Sequence, residues 1–187
     1  YAAIALENAR YIQRIHELTI TDDCTALYNA RHLNFVLDAE IYRSTRYAYE
    51  FSVIFLDLDH FKQVNDTHGH LYGSKLLWMI GDLIKGHLRL IDYAFRYGGD
   101  EFVVLLPQTS KQNALMVVRR LKALLNSQTF FQDENLNIKV TASFGVAGFP
   151  SDGRSRRELL RMADEAMYFV KNTTRDSIAL AGEGIRT

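Results

Sequence analysis

The stretch Tyr93-Ala94-Phe95-Arg96-Tyr97-Gly98-Gly99-Asp100-Glu101-Phe102-Val103-Val104-Leu105-Leu106 decides the fold. Two runs of strand-forming residues, 93–97 and 100–106, flank Gly98-Gly99, and that arrangement predicts an antiparallel hairpin. Upstream, Phe51-Ser52-Val53-Ile54-Phe55-Leu56-Asp57 is an apolar run of strand length. Downstream, Val140, Ala142, Phe144 and Val146 alternate through 138–149 and predict another strand, and 177–180 predicts a final edge strand. A loop containing Asn65-Asp66 and Gly69 leads into a helix on which Leu76, Leu77, Ile80, Leu83, Ile84 and Leu88 keep helical spacing. Further helices are predicted over 30–49, 111–127 and 156–170, and Thr21-Asp22-Asp23 offers cap and turn chemistry. The resulting order, α-β-α-β-β-α-β-α-β, predicts an α/β fold with a mixed central sheet flanked by helices. The hairpin must be antiparallel, whereas the crossovers allow parallel neighbours.

Residues 1–19 read as one helix in which Ile4, Tyr11, Ile15 and Leu18 form a seam with Asn8 in its gap. Two readings stay open: an amphipathic helix lying on the domain, or the end of a parallel coiled coil from an upstream sensory module. The chain opens on Tyr1, which predicts a piece of a longer protein. The expected division is a linker helix over 1–20, a catalytic domain over 21–182 and a tail over 183–187.

Lys plus Arg and Asp plus Glu both number 22, so the formal charge is zero. That balance argues against broad electrostatic binding of nucleic acid or an anionic membrane, although local clusters can still hold phosphates. Hydrophobic residues at 48% and charged residues at 24% are ordinary globular values. No apolar run approaches the roughly 18–20 residues that span a bilayer. The single cysteine, Cys24, cannot form an internal disulfide and fits a reducing cytoplasm.

Four groups carry chemistry. Asp57-Leu58-Asp59 ends a buried strand, where carboxylates are costly unless solvated, paired or metal-bound. Asp100-Glu101 follows the glycine pair, and a hairpin beside strand 51–57 would bring three carboxylates to one sheet edge, a hard oxygen site suited to Mg²⁺. Taken singly, Asp57 also reads as a helix cap and Asp100 as turn polarity. The third group is Asp59-His60-Phe61-Lys62, a strand-to-helix turn whose backbone N–H groups and Lys62 suit phosphate. The fourth is Lys171 and Arg175, one helical turn apart, which suit a terminal phosphate or, more plainly, a helix C-terminus.

Together these residues resemble the GGDEF domain family of bacterial diguanylate cyclases. Arg96-Tyr97-Gly98-Gly99-Asp100-Glu101-Phe102 is similar to its signature, and residues 55–70, beginning Phe55-Leu56-Asp57-Leu58-Asp59-His60-Phe61-Lys62, to its second block. Thr21-Asp22-Asp23-Cys24-Thr25-Ala26-Leu27-Tyr28-Asn29 resembles the opening block, and Ala163-Asp164-Glu165-Ala166-Met167-Tyr168 with Lys171 and Arg175 the closing one. The resemblance implies a nucleotide-cyclase, polymerase-palm-like fold and metal-dependent condensation of two nucleoside triphosphates by a homodimer. It implies that Asp57, the Leu58 carbonyl, Asp100 and Glu101 hold Mg²⁺ or Mn²⁺, with Glu101 as second-metal ligand or base. Phe61, Lys62, Lys171 and Arg175 would hold phosphates, and Asn65 would read the base. Arg89-Leu90-Ile91-Asp92 stands at the spacing of the family's RxxD inhibitory site for the cyclic dinucleotide product.

One departure bears on substrate. After Gly69-His70 the family has x-x-Gly-Asp, whereas this chain has Leu71-Tyr72-Gly73-Ser74. The usual carboxylate accepts from guanine and has nothing to accept from adenine N1, whereas a hydroxyl both donates and accepts. Ser74 therefore resembles the hybrid promiscuous (Hypr) subgroup, which implies use of ATP and GTP to make 3′,3′-cyclic GMP-AMP, with cyclic di-GMP and some cyclic di-AMP. The alternatives are an ordinary GTP-specific cyclase and an inactive domain that binds cyclic dinucleotide through Arg89 and Asp92. Smaller departures are Cys24, Ala26 and Ala30 in the opening block, and Thr174 and Asp176 around Arg175.

Overall fold

The computed structural model describes residues 20–186, so the expected helix over 1–19 lies outside the described residues. Strands β1 (Tyr28–Asn29), β2 (Phe51–Leu58), β3 (Tyr93–Gly98), β4 (Glu101–Leu106), β5 (Ala142–Phe149), β6 (Ile178–Leu180) and β7 (Gly184–Arg186) form one sheet in the order β1-β3-β4-β2-β5-β6-β7. The β1/β3 and β5/β6 pairs are parallel and the others antiparallel, so the sheet is mixed as expected.

Alternation along β2 builds both cores. Ile54, Leu56 and Leu58 face α3 (His70–Gly86) and α4 (Lys111–Ser127), joining Leu76, Ile80, Val118 and Leu121. Phe51, Val53 and Phe55 face α1 (Ala30–Tyr47) and α5 (Arg156–Thr173), joining Leu33, Leu37, Leu159 and Met167. Every residue of β2 is buried, which explains why it reads as a continuous apolar run rather than an alternating one.

Several sequence expectations are corrected. Asn65-Asp66 lie inside α2 (Phe61–His68), not in a loop; the Asn65 carbonyl accepts from Gly69 N–H and closes that helix. Asp22 forms a turn with Thr25 rather than a helix cap, and Asn29 caps α1 by accepting from His32 N–H. The turn residues of the hairpin are Gly99 and Asp100, because Gly98 pairs with Glu101 across a register shift after Arg96; Gly99 takes φ +53°. The strand expected at 138–149 starts at Ala142, since β2 and β6 end before they can pair 138–141. Ile138 instead pairs with Phe130. β6 is not an edge, because Gly184–Arg186, read as tail, adds β7 outside it.

Candidate active site

The C-terminal end of β2 carries the expected acidic residues. Asp57, near the end of β2, and Asp59, just past it, are almost fully buried, at 2% and 3% exposure. Asp57 pairs in register with Glu101 on β4 and with Ser143 on β5. Asp100 is tied in through its carbonyl, which accepts from Leu58 N–H at 3.3 Å. The hairpin thus brings Asp57, Asp100 and Glu101 to one edge.

Their electrostatics are strained. Burial raises the Asp57 carboxyl above the usual range, and the charges of Asp100 and Asp59 add to that, against a bond from Lys171. Glu101 is raised by burial and then by Asp57, Asp164 and Asp100. Lys171 Nζ, from α5, donates to Asp57 Oδ2 at 2.7 Å. Burial alone would lower the Lys171 ammonium; its bond to Asp57 and the field of Asp100 and Glu101 outweigh that and raise it. Asp57 Oδ1 is buried with no hydrogen-bond partner among the described residues. A buried anionic oxygen without a donor is costly and calls for a cation.

Among the described residues no three Asp, Glu, His or Cys side chains converge closely enough to form a ready-made metal cage. The expected three-carboxylate cluster is therefore an open edge rather than a closed site. Such an edge still fits Mg²⁺, which commonly takes one or two carboxylates and completes its shell with substrate phosphates and water. The lone Asp57 Oδ1 is the observation that favours it.

Asp59 behaves differently. Its Oδ2 accepts from Thr141 Oγ1 at 2.7 Å and from Asp176 N–H at 3.0 Å, and its Oδ1 accepts from Ser143 Oγ at 2.7 Å. Next to it His60 takes a left-handed conformation, α2 begins at the buried Phe61, and Lys62 stands exposed on its first turn. Arg175 is exposed just beyond α5, one turn past Lys171.

Asn65 and Ser74 come from neighbouring helices. A Cβ at Gly73 would lie 1.9 Å from Asn65 Oδ1, so only glycine lets the Asn65 amide lie against α3. Ser74 follows on the exposed side of α3, and its carbonyl accepts from Cys24 Sγ at 3.6 Å. Ser74 opens onto a groove of about 930 Å³ that also has Cys24, Trp78, Met79 and Phe131 in its walls.

Arg89 and Asp92 are together but away from the acidic edge. Arg89 Nη2 donates to Asp92 Oδ1 and to Thr109 Oγ1, both at 2.8 Å, and Arg89 N–H donates to Asp92 Oδ2 at 2.9 Å. Between them Leu90 is fully exposed and Ile91 half exposed. Sequence reasoning missed Arg120, whose Nη2 donates to the His87 carbonyl at 2.6 Å beside this turn. It also missed a clasp on the hairpin. Arg96 donates through Nη1 to Asp22 Oδ1 at 3.1 Å and through Nη2 to the Gly99 carbonyl at 2.8 Å. Burial pushes the Asp22 carboxyl up, but its bonds from Thr25 and Arg96 outweigh this and lower it. The only sequence signal for this clasp was the presence of both residues in blocks already singled out.

The family model for the diguanylate cyclase GGDEF domain matches residues 19–177. The chain belongs to the GGDEF domain family. It is 34% identical over 163 residues to the response regulator PleD of Caulobacter vibrioides, covering 87% of this chain and 36% of PleD. The GGDEF chain thus spans about a third of that relative. The GGDEF domain of PA1120 (YfiN or TpbB) from Pseudomonas aeruginosa superposes with a TM-score of 0.80 at 32% identity, covering 83% of this chain and 97% of that one. The GGDEF domain of DgcB from Caulobacter crescentus, solved in complex with c-di-GMP, gives 0.80 at 25% identity, covering 88% and 94%.

Proposed function

We propose that this GGDEF domain is a dinucleotide cyclase that condenses ATP and GTP into 3′,3′-cyclic GMP-AMP, with cyclic di-GMP and some cyclic di-AMP as further products. The observation that supports cyclisation is the acidic edge, where Asp57 faces Glu101 and keeps one buried oxygen without a partner among the described residues. Ser74 supports the mixed product, because its exposed hydroxyl, one residue past the glycine that packs on Asn65, offers both donor and acceptor to a purine edge.

Each protomer holds one triphosphate, and two protomers face each other. The 3′-hydroxyl oxygen of one nucleotide forms a bond to the α-phosphorus of the other as its O–H bond breaks and the proton passes to Glu101 acting as base. The bond from that phosphorus to the bridging oxygen breaks, and pyrophosphate leaves. Repetition in the opposite sense closes the ring. Mg²⁺ or Mn²⁺ held by Asp57, the Leu58 carbonyl, Asp100 and Glu101 would neutralise phosphate charge and acidify the attacking hydroxyl. Lys171 donates one N–H to Asp57, which favours its carboxylate form against burial, and has two more donors for phosphate. Lys62 and Arg175 add charge, with backbone N–H groups at Phe61 on the α2 N-terminus. Nucleoside triphosphate substrates place the domain in the cytoplasm, with the upstream module controlling encounter of the two protomers. Arg89 and Asp92 form the product-binding inhibitory site.

The likeness to diguanylate cyclases favours a second reading, an ordinary diguanylate cyclase. The deciding experiment incubates the protein with ATP, GTP and Mg²⁺ at several ATP:GTP ratios and identifies products by mass spectrometry. Cyclic GMP-AMP at equal nucleotide supports the first reading. Cyclic di-GMP alone assigns the second, and no product leaves a cyclic-dinucleotide receptor. Specific activity is expected to rise with protein concentration and further with a fused dimeric zipper, because two half-sites must meet.

A further inference from the structure

The turn that carries Arg175 is held from three sides. On the helix side, Thr174 N–H and Arg175 N–H both donate to the Val170 carbonyl, at 3.1 and 2.9 Å. On the sheet side, Asp176 N–H donates to the buried Asp59 carboxylate at 3.0 Å. On the α4 side, the Asp176 carboxylate accepts from Asn126 Nδ2 at 2.9 and 3.0 Å and pairs with Lys122 Nζ at 3.0 Å. Between these anchors Arg175 and Asp176 take φ +50° and +41°, the left-handed region that disfavours residues other than glycine. Two consecutive non-glycine residues persist there only when the surroundings over-determine them. In a right-handed conformation the chain would continue α5 and carry Asp176 N–H away from Asp59.

We propose that Asp59, Asp176, Lys122 and Asn126 form a latch that fixes the Arg175 backbone, and that they are positioning residues for binding the triphosphate. The proposal rests on the reading of Arg175 as a phosphate ligand. Asp59 is suited to the task because its other acceptor bonds, from Thr141 and Ser143, anchor it to the start of β5. A bound arginine that is already oriented loses less conformational freedom when it grips an anion, so the latch raises affinity for the distal phosphates and leaves base and α-phosphate contacts alone. An Asn at 176 would keep an acceptor for Asn126 and lose the ion pair with Lys122.

The test compares binding of α,β-methylene GTP, which cannot release pyrophosphate, with binding of GMP, by titration calorimetry on the full 187-residue chain. In Asp176→Ala, and separately in Lys122→Met/Asn126→Ala, the ratio of triphosphate to monophosphate affinity is expected to fall about five- to tenfold. GMP affinity should stay within about twofold, and Asp176→Asn should keep most of the ratio. Arg175→Ala should lower the ratio at least as far, and adding Asp176→Ala to it should lower it no further. A ratio that survives both latch variants while Arg175→Ala destroys it overturns the latch. A ratio unchanged by Arg175→Ala overturns the phosphate reading itself, and the latch with it. A general loss of folding would lower GMP and triphosphate binding alike, which separates it from the expected result.

Discussion

Asp57 near the end of β2 and Asp59 just past it stand two residues apart and are almost equally buried, yet their surroundings are opposite. The β4 side of the strand, around Asp57, gathers like charges, with Glu101 opposite and Asp100 in the turn, and leaves one Asp57 oxygen with no donor among the described residues. The β5 side, around Asp59, supplies two hydroxyls and a backbone N–H. Buried carboxylates are stable only when satisfied. Asp59 is built to hold the structure, and Asp57 is held at a cost that a bound cation and phosphate would relieve. The Arg89–Asp92 turn resembles Asp59 in being satisfied internally, although it sits at the surface.

The sharpest way to break this contrast is to remove each carboxylate. Asp57→Ala or Asp100→Ala is expected to lower synthesis by at least about 10²–10³-fold, because charge stabilisation at the transferring phosphate is lost. Circular dichroism and the melting temperature should be unchanged or improved. Product is measured by mass spectrometry, and substantial turnover in a folded variant would remove Asp57 or Asp100 from the metal role. Asp59→Ala should do the reverse in stability. Three donors lose an anionic acceptor, each such bond being worth about 1.5–3 kcal/mol, so a large drop in melting temperature is expected. Equal melting temperatures for the two alanine variants would erase the distinction.

The same strain predicts a pH effect. Glu101 has a raised folded-state pKa, so the folded protein binds this proton more tightly than the unfolded chain does. Its ionised form therefore destabilises the fold; the loss sets in above the ordinary carboxylate value and is complete once pH has risen through the folded one. Glu101→Gln should raise the melting temperature at pH 7, and that gain should vanish below the ordinary carboxylate range. A gain that stays constant with pH would show that ionisation of Glu101 is not its source.

Base choice is the next effect in size. Ser74→Asp adds an acceptor for both guanine donors, worth about 1.5–3 kcal/mol, and desolvates a carboxylate for nothing opposite adenine. The fraction of cyclic GMP-AMP made from equal ATP and GTP should fall roughly ten- to a hundredfold in favour of cyclic di-GMP. A mixed product left unchanged by the substitution would show that Ser74 does not set the base.

The sequence made the sheet and the acidic edge legible because β2, the hairpin and three helices carry strong periodic or turn signals. β1 and β7 were not legible, since strands of two and three residues have no period to read and exist only because β3 and β6 offer partners. Asn65 shows the same limit at the site. Local propensity reads Asn-Asp as a loop, but Phe61 buried beneath α2 and the close approach of Gly73 make it helix. The different fates of Asp57 and Asp59 were also hidden, because each depends on residues about 80 or more positions away, Lys171 for one and Thr141 and Ser143 for the other.

The smallest expected effect tests whether the Arg89–Asp92 turn is only structural. Asp92 is 2% exposed in its side chain, whereas Arg89 is half exposed at 52%. The bond to Asp92 raises the Arg89 guanidinium, against a smaller loss from burial. Arg89→Ala would leave Asp92 accepting from the backbone N–H of residue 89 alone and lose the guanidinium bonds to it and to Thr109. Because the pair is partly solvated, the cost should be modest, about 1 kcal/mol, or a melting shift of about 2–4 °C. Initial turnover at low product should not change, since the turn lies away from Asp57. The informative readout is turnover as cyclic dinucleotide accumulates. If the turn binds product, Arg89→Ala should keep its initial rate where the parent slows. If parent and variant slow alike, the turn is a surface counterpart of Asp59, a satisfied ion pair that closes the connection between α3 and β3.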